Sequence, residues 1–256
     1  PEERMQDLLS RMTLEEKAGQ MLQIPYSEIT AKEAEEWVEE RYAGSFLHIL
    51  GEKAQKLQDR AMKTRLGIPL MFGIDAIHGH ALYNGATVFP TQLGMSCSWN
   101  PELIQQMGRV TGCEVAADGL HWTFSPVLCI GRDLRWGRIN ETFGEDPYLI
   151  GELAAAMIRG YQGNALSDDD SILACAKHYL AYGESTGARD AQEAPISERK
   201  VREIFLPPFK RAAETGCATF MSAYLAIDGT PVTASRKYLR TILKEELGFD
   251  GFVVTD

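Results

Sequence analysis

At 256 residues and 45% hydrophobic, the chain can bury one large α/β core or two small ones, and that composition argues against disorder. Its 36 acids against 26 bases give a formal charge of −10, which argues against nucleic acid and anionic membrane as partners, because both need basic surface to displace counterions. Five cysteines, an odd number with no CxxC pair, signal neither a disulfide framework nor a thiolate zinc site and read as small buried apolar residues.

No apolar run approaches the ~20 residues of a membrane helix, and no basic-then-apolar segment precedes PEERMQDLL. Localisation is left open, with the cytoplasm favoured over the periplasm or secretion. The first segment, PEERMQDLLSRMTLEEKAGQML, has helical spacing of apolar residues, and Thr13 with Glu16 makes a capping-box pattern, so two short helices are expected. Beyond them AGSFLHIL, IPLMFGID, HWTFSPVLCI, SILACAKHY, CATFMSAY and GFVVTD are strand candidates. Helix punctuation fills the intervals. Asn100 and Asp146 each precede a first-turn proline, Ser197 and Ser235 are cap candidates, and Gly119, Gly160, Gly216 and Gly248 sit where helices should stop.

Several of these strands are apolar without clean alternation, as expected of parallel strands covered on both faces. Polar residues gather at their C-terminal ends: Asp75 after IPLMFGI, Arg132, Asp133, Arg135 and Arg138 after SPVLCI, then Lys177 and His178, Tyr224, and Asp256. A closed barrel brings such ends to one rim, whereas an open doubly wound sheet scatters them along an edge. The expected fold is therefore an α/β (β/α)8 TIM-like barrel. No GxGxxG or GxxxxGK follows a strand, so a nucleotide cradle is not expected.

Two carboxylates (Asp75, Asp256), two cations (Arg138, Lys177), an imidazole (His178) and a phenol (Tyr224), with Trp136 nearby, offer many directional donors and acceptors with little net charge. That suits a neutral polyhydroxylated ligand such as a sugar. Asp75 could hold hydroxyls while Asp256 attacks an anomeric carbon. Taken singly, a strand-end Asp is more often a helix cap or ion-pair partner, and Arg132, Asp133 and Arg135 are expected to pair with one another. Lys177 is harder to dismiss, since after LACA it would otherwise bury a charge. Trp37, Trp99 and Trp122 are expected in core or interface packing. HGH at His78–His80, with a later Lys, His and Asp, superficially matches a dinuclear amidohydrolase. Lys177 and His178 are adjacent in one strand, however, so their side chains should diverge. No metal or cofactor is expected.

GIDAIHGH, GATVFPTQLG, HWTFSPVLCIGRDLRWGRINETFGEDP, AKHYLAYGESTGARD, ISERKVREIFLPPFK, MSAYLAIDGTPV and GFDGFVVTD, in this order from about Thr13 to Asp256, closely resemble the N-terminal barrel domain of glycoside hydrolase family 3, the β-glucosidase-like enzymes. The resemblance implies that Asp256, at the acid of the family's VVSD element, is the nucleophile forming a covalent glycosyl-enzyme. It implies that Asp75 holds distal hydroxyls of a non-reducing-end sugar with Arg138, Lys177 and His178, and that Tyr224 lies beside the nucleophile. Leu134 stands where the family usually has proline in RDPRWGR, and Thr255 where serine precedes the nucleophile. The segment after KH lacks the FPGHGDT signature of the family's N-acetylglucosaminidases, which leaves β-glucosidase first and β-xylosidase second. The implied substrates are small β-glucosides or oligosaccharides. Residues 1–256 are then an incomplete N-terminal barrel, interrupted at the nucleophile's strand. A C-terminal α/β domain, absent from this chain, would supply the general acid/base, often a glutamate. Homo-oligomerisation and a catalytically silent sugar-binding barrel stay open.

Overall fold

In the computed structural model, which describes residues 2–256, the N-terminal segment forms helices α1 (Glu2–Arg11) and α2 (Leu14–Gln20). Thr13 and Glu16 close the expected capping box: Thr13 N–H donates to Glu16 Oε2 at 2.8 Å and Glu16 N–H to Thr13 Oγ1 at 3.2 Å. Thr30 and Glu33 repeat the device at α3 (Ala31–Glu39). Each box satisfies two amide donors that a helix start otherwise leaves open.

The chain divides into two compact units, one holding the residues up to Ile74 with Ala117–Trp122, the other Asp75–Ala116 with Thr123–Asp256. In the first, β1 (Gln23–Pro25) pairs in parallel with β2 (Ser45–Leu47), β2 with β3 (Met71–Ile74), and β4 (Trp122–Thr123) borders β3. Phe46 and Phe72 lie opposite each other in this sheet and are buried. Burial of each is worth about 1.5–3 kcal/mol. Helix α4 (Glu52–Ala61) buries Ala54, Leu57 and Ala61. QIP of β1 is too short to carry a periodicity, so this strand is not among those expected from the sequence.

In the second unit the chain after β4 runs parallel to β5 (Cys175–Tyr179): Cys175 N–H donates to Ser125 C=O at 2.9 Å and Leu128 N–H to Lys177 C=O at 2.6 Å. Gln92, the first residue of α5 (Gln92–Ser96), braces this run, its amide exchanging two hydrogen bonds with the Val127 backbone at 2.9 and 3.0 Å. Strand β5 pairs with β6 (Thr219–Ser222), a small hairpin of β7 (Ala226–Ile227) and β8 (Thr230–Pro231) follows, and β6 pairs in parallel with β9 (Phe252–Thr255). The fold is α/β with parallel sheets, and strand order within each sheet follows the sequence. Among the described residues neither sheet closes on itself. GFVVTD departs from the expectation of full cover, because Phe252 is exposed and Val253 and Val254 are half-buried.

Helix starts fall as expected: Asn100 caps α6 (Pro101–Ala117), Asp146 caps α7 (Pro147–Gln162), and Ser197 and Ser235 cap the helical stretches that follow them. Pro207 and Pro208 have no N–H to donate, and the turn just before them, Val201–Phe205, is a wide π-type turn joining α8 (Glu198–Lys200) to α9 (Leu206–Glu214). One expected stop is misplaced. Helix α7 runs through Gly160 and ends at Gly163, whose φ of 59° favours glycine.

Gly160 serves packing instead. A Cβ there would lie 2.4 Å from Gln105 O, 2.8 Å from Arg109 N and 2.9 Å from Gly108 C, all backbone of α6. Alanine would add about 1 kcal/mol of helix propensity, but backbone cannot swing aside, and forced separation of the helices costs about 1–3 kcal/mol. Gly160→Ala in the full-length protein is therefore expected to destabilise by a net of up to about 2 kcal/mol, read as a lower urea midpoint at unchanged slope. An unchanged or raised midpoint would contradict this close helix crossing.

Candidate active site

All six expected site residues belong to the second unit, five of them in or just beyond a strand and Arg138 in a loop. Asp75 directly follows β3, Lys177 and His178 lie within β5, Tyr224 follows β6 and Asp256 follows β9. Arg138 sits in the loop after Ile130, at the start of the short turn Ile139–Glu141.

Lys177 is the most constrained. Its side chain is 4% exposed, and its Nζ donates to Asp75 Oδ1 at 2.7 Å. A buried unpaired ammonium would cost several kcal/mol, so the Asp75 carboxylate is fixed by the need to pair it. An ammonium has three donors. Among the described residues Asp75 is the one hydrogen-bond partner of Nζ, which leaves donors for a ligand beside a partly open carboxylate.

Arg138 is held by a fork: Nε and Nη2 donate to the two oxygens of Glu141 at 2.7 and 2.8 Å. Burial opposes the cation, but Glu141 and Tyr182 outweigh it, and the guanidinium pKa is raised. Arg138 Nη2 also lies 3.3 Å from His178 Nε2. A guanidinium only donates, so Nε2 must accept, and the imidazole proton sits on Nδ1, 3.4 Å from the buried Cys129 Sγ. Burial, then the charges of Lys177 and Arg138, hold the His178 pKa well below its ordinary value, so the ring is neutral. Burial likewise pushes the Cys129 thiol up to about 12, and it stays protonated.

Asp256 Oδ2 approaches His178 Nε2 at 3.7 Å. Since the ring is neutral and presents a lone pair there, this contact is no ion pair. Among the described residues Asp256 accepts no hydrogen bond. Burial raises its pKa, Arg138 and Lys177 pull it back, and the negative charges of Asp75 and Asp190 add to the rise. Those influences place Asp75, Arg138, Lys177 and Asp256 in one electrostatic neighbourhood. Tyr224, which is exposed, joins it through Tyr182: the two hydroxyls lie 2.7 Å apart, and Tyr182 packs edge-on against His178 with ring centres 4.8 Å apart.

The structure thus brings together all six residues singled out from the sequence. It also corrects two expectations. Lys177 and His178 do not diverge, because the pairing of β5 with β6 shifts register between Ala176 and Tyr179 and strand alternation fails there. Arg135 pairs with Asp133 at 2.6 Å, holding that carboxyl down at about 2, but Arg132 turns away to Glu184 at 2.5 Å. In HGH, His78 Nδ1 meets the Phe89 carbonyl at 3.0 Å and His80 is buried against Tyr83. Trp122 is core as expected, while Trp99 is exposed. Sequence reasoning missed Glu141, Cys129, Tyr182 and Asp190. Only Glu141 had a local signal, an acid three residues beyond Arg138.

The neutral His178 carries a pH consequence. An unfolded imidazole takes up a proton near its ordinary value of about 6.5, whereas the folded one resists it. Stability is therefore lost as pH falls below that value, by at most about 1.4 kcal/mol per unit for this one group. Urea unfolding at pH 7.0 and 5.5 (about the window just named) is expected to show a smaller acid loss in His178→Gln than in wild type. Identical losses would mean that folded His178 takes up the proton freely.

The sequence model of the glycosyl hydrolase family 3 N-terminal domain matches residues 13–256. The chain is 35% identical over 253 residues to the periplasmic beta-glucosidase of Salmonella typhimurium, an alignment covering 98% of this chain and 32% of that protein. It is 38% identical over 216 residues to a beta-xylosidase of Formosa agariphila, covering 81% of this chain and 30% of the relative. Among solved structures, a β-glucosidase involved in saponin metabolism, from intestinal bacteria, superposes with a TM-score of 0.90 at 50% identity, over 98% of this chain and 33% of that one. The chain spans about a third of the length of these relatives. It belongs to glycoside hydrolase family 3.

Proposed function

We propose that the protein containing this chain is a retaining, exo-acting β-glycosidase that removes terminal non-reducing β-D-glucosyl residues, with Asp256 as nucleophile. The observation that carries this is the contrast between two carboxylates. Asp75 is tied to Lys177, whereas Asp256, a quarter exposed, accepts no hydrogen bond among the described residues. A tied acid beside spare ammonium donors suits hydroxyl binding, and an untied carboxylate suits attack on carbon. Arg138 and Lys177 supply the positive field that favours its ionised form.

In the first step the Asp256 carboxylate displaces the aglycone and forms a glycosyl ester with inversion. In the second, water displaces the carboxylate with a second inversion, returning the β-configured sugar. The leaving oxygen needs a proton, which we assign to a carboxyl, a glutamate by family resemblance, in the rest of the protein, where a C-terminal α/β domain is proposed. The sheets belong to a (β/α)8 barrel in this proposal, because strand order follows the sequence without the reversal of a doubly wound sheet. The name of the Formosa relative favours β-xylosides as a second substrate class.

In the full-length protein, Asp256→Ala is expected to abolish hydrolysis of aryl β-glucosides. Azide should restore part of it and yield the α-glycosyl azide, since one inversion replaces two. A β-azide product would exclude this nucleophile. Asp75→Ala is expected to cost about 100-fold or more in kcat/KM, because hydroxyl contacts tighten as the ring flattens. Unchanged kcat/KM would remove Asp75 from sugar binding.

A further inference from the structure

Beyond the six expected residues, one more carboxylate joins the site. Asp190 lies in the loop after β5, where Trp136, Tyr182 and Tyr224 all donate to it: Tyr182 Oη at 2.8 Å and Trp136 Nε1 at 3.3 Å to Oδ1, Tyr224 Oη at 3.3 Å to Oδ2. The loop is pinned by Ser185 Oγ donating to Arg189 C=O at 2.6 Å and Thr186 N–H to Glu193 C=O at 2.9 Å. Ala188 and Ala191, on either side of Asp190, both have φ of 56°, a left-handed conformation that is costly for a non-glycine residue. Backbone held at that cost around one acid points to a task for the acid. Gly183 makes room nearby, since a Cβ there would lie 2.9 Å from the Trp136 ring.

The donors and acceptors have a forced direction. Arg138 Nη1 reaches the Tyr182 hydroxyl at 3.4 Å and can only donate, while the Asp190 carboxylate can only accept. The Tyr182 hydroxyl between them accepts from Arg138 and gives its single proton to Asp190. Its second lone pair is left for Tyr224, whose own proton is thereby drawn toward Tyr182 and Asp190. Tyr224 is also within the electrostatic reach of Asp256.

We propose that Asp190 is a positioning residue: by fixing the direction of the chain from Arg138 through Tyr182, it holds the Tyr224 hydroxyl proton inside the cluster and away from the untied Asp256. This rests on the role given to Asp256 above. Without the charge at 190, the Tyr182 proton is free to turn to Tyr224, and the Tyr224 proton is free to swing out toward the nucleophile and blunt it.

The test uses full-length wild type, Asp190→Asn, Tyr224→Phe and the double variant. Asp190→Asn keeps the size and one acceptor but loses the charge. Wild type must first hydrolyse an aryl β-glucoside; if it does not, the glycosidase reading fails and the phenol titration below decides the present proposal alone. The expected result is a fall of about 10- to 100-fold in kcat for Asp190→Asn with KM changed far less. The double variant should be no worse than the poorer single one, because both act through one hydroxyl. Spectrophotometric titration should show a phenol ionising at lower pH in Asp190→Asn than in wild type, a difference absent in the Tyr182→Phe background. Independent, multiplying losses, or an Asp190→Asn enzyme within about twofold of wild type (less than 0.5 kcal/mol), would overturn the proposal, as would phenol titrations that superimpose.

Discussion

The pairing of Lys177 with Asp75 is the constraint on which the rest of the site depends. A lysine with 4% of its side chain exposed must find an anion, and Asp75 at 2.7 Å is that anion. The residue one step along the same strand, His178, is then fixed beside it. Two like charges so close in a low-dielectric setting would be expensive, and the conflict is resolved by keeping the imidazole neutral. Arg138 settles which ring nitrogen bears the proton, and Glu141 in turn settles Arg138.

This ordering leaves one carboxylate unclaimed. Glu141 is tied to Arg138, Asp75 to Lys177, and Asp190 to two phenols and an indole. Asp256 has the neutral His178 at 3.7 Å and the field of two cations without contact to either. A carboxylate so placed keeps its lone pairs available, while the two cations offset part of the rise that burial imposes on its pKa. Had an arginine forked onto it, the same charge would be bound up and its attack on carbon weakened.

Much of this was legible in the sequence, for a physical reason: strand ends are short apolar runs closed by a polar residue, and such runs are easy to see. Asp75, Lys177, Tyr224 and Asp256 all follow from that pattern, and helix starts at Thr13, Asn100 and Asp146 follow from local capping chemistry. What failed were inferences requiring tertiary contact. Gly160 looks like a helix stop, but the crossing of α6 over α7 uses it as a gap. The Lys177–His178 pair was expected to diverge, because a register shift inside β5 is invisible in CAKHY. Tyr182 and Asp190 matter only once a loop folds back on the strand it leaves. The extent of strand closure was also beyond sequence reasoning, and the described sheets remain open in the structure.

The central claim, that Asp256 and not Asp75 is the attacking carboxylate, is tested most directly by trapping the covalent intermediate. A 2-fluoro-β-glucoside with a good leaving group, incubated with the full-length protein, should inactivate it and add one fluoroglycosyl unit. After proteolysis the label should sit on the peptide containing GFVVTD. A label on the peptide carrying Asp75 would reverse the two roles, and one elsewhere would contradict both assignments.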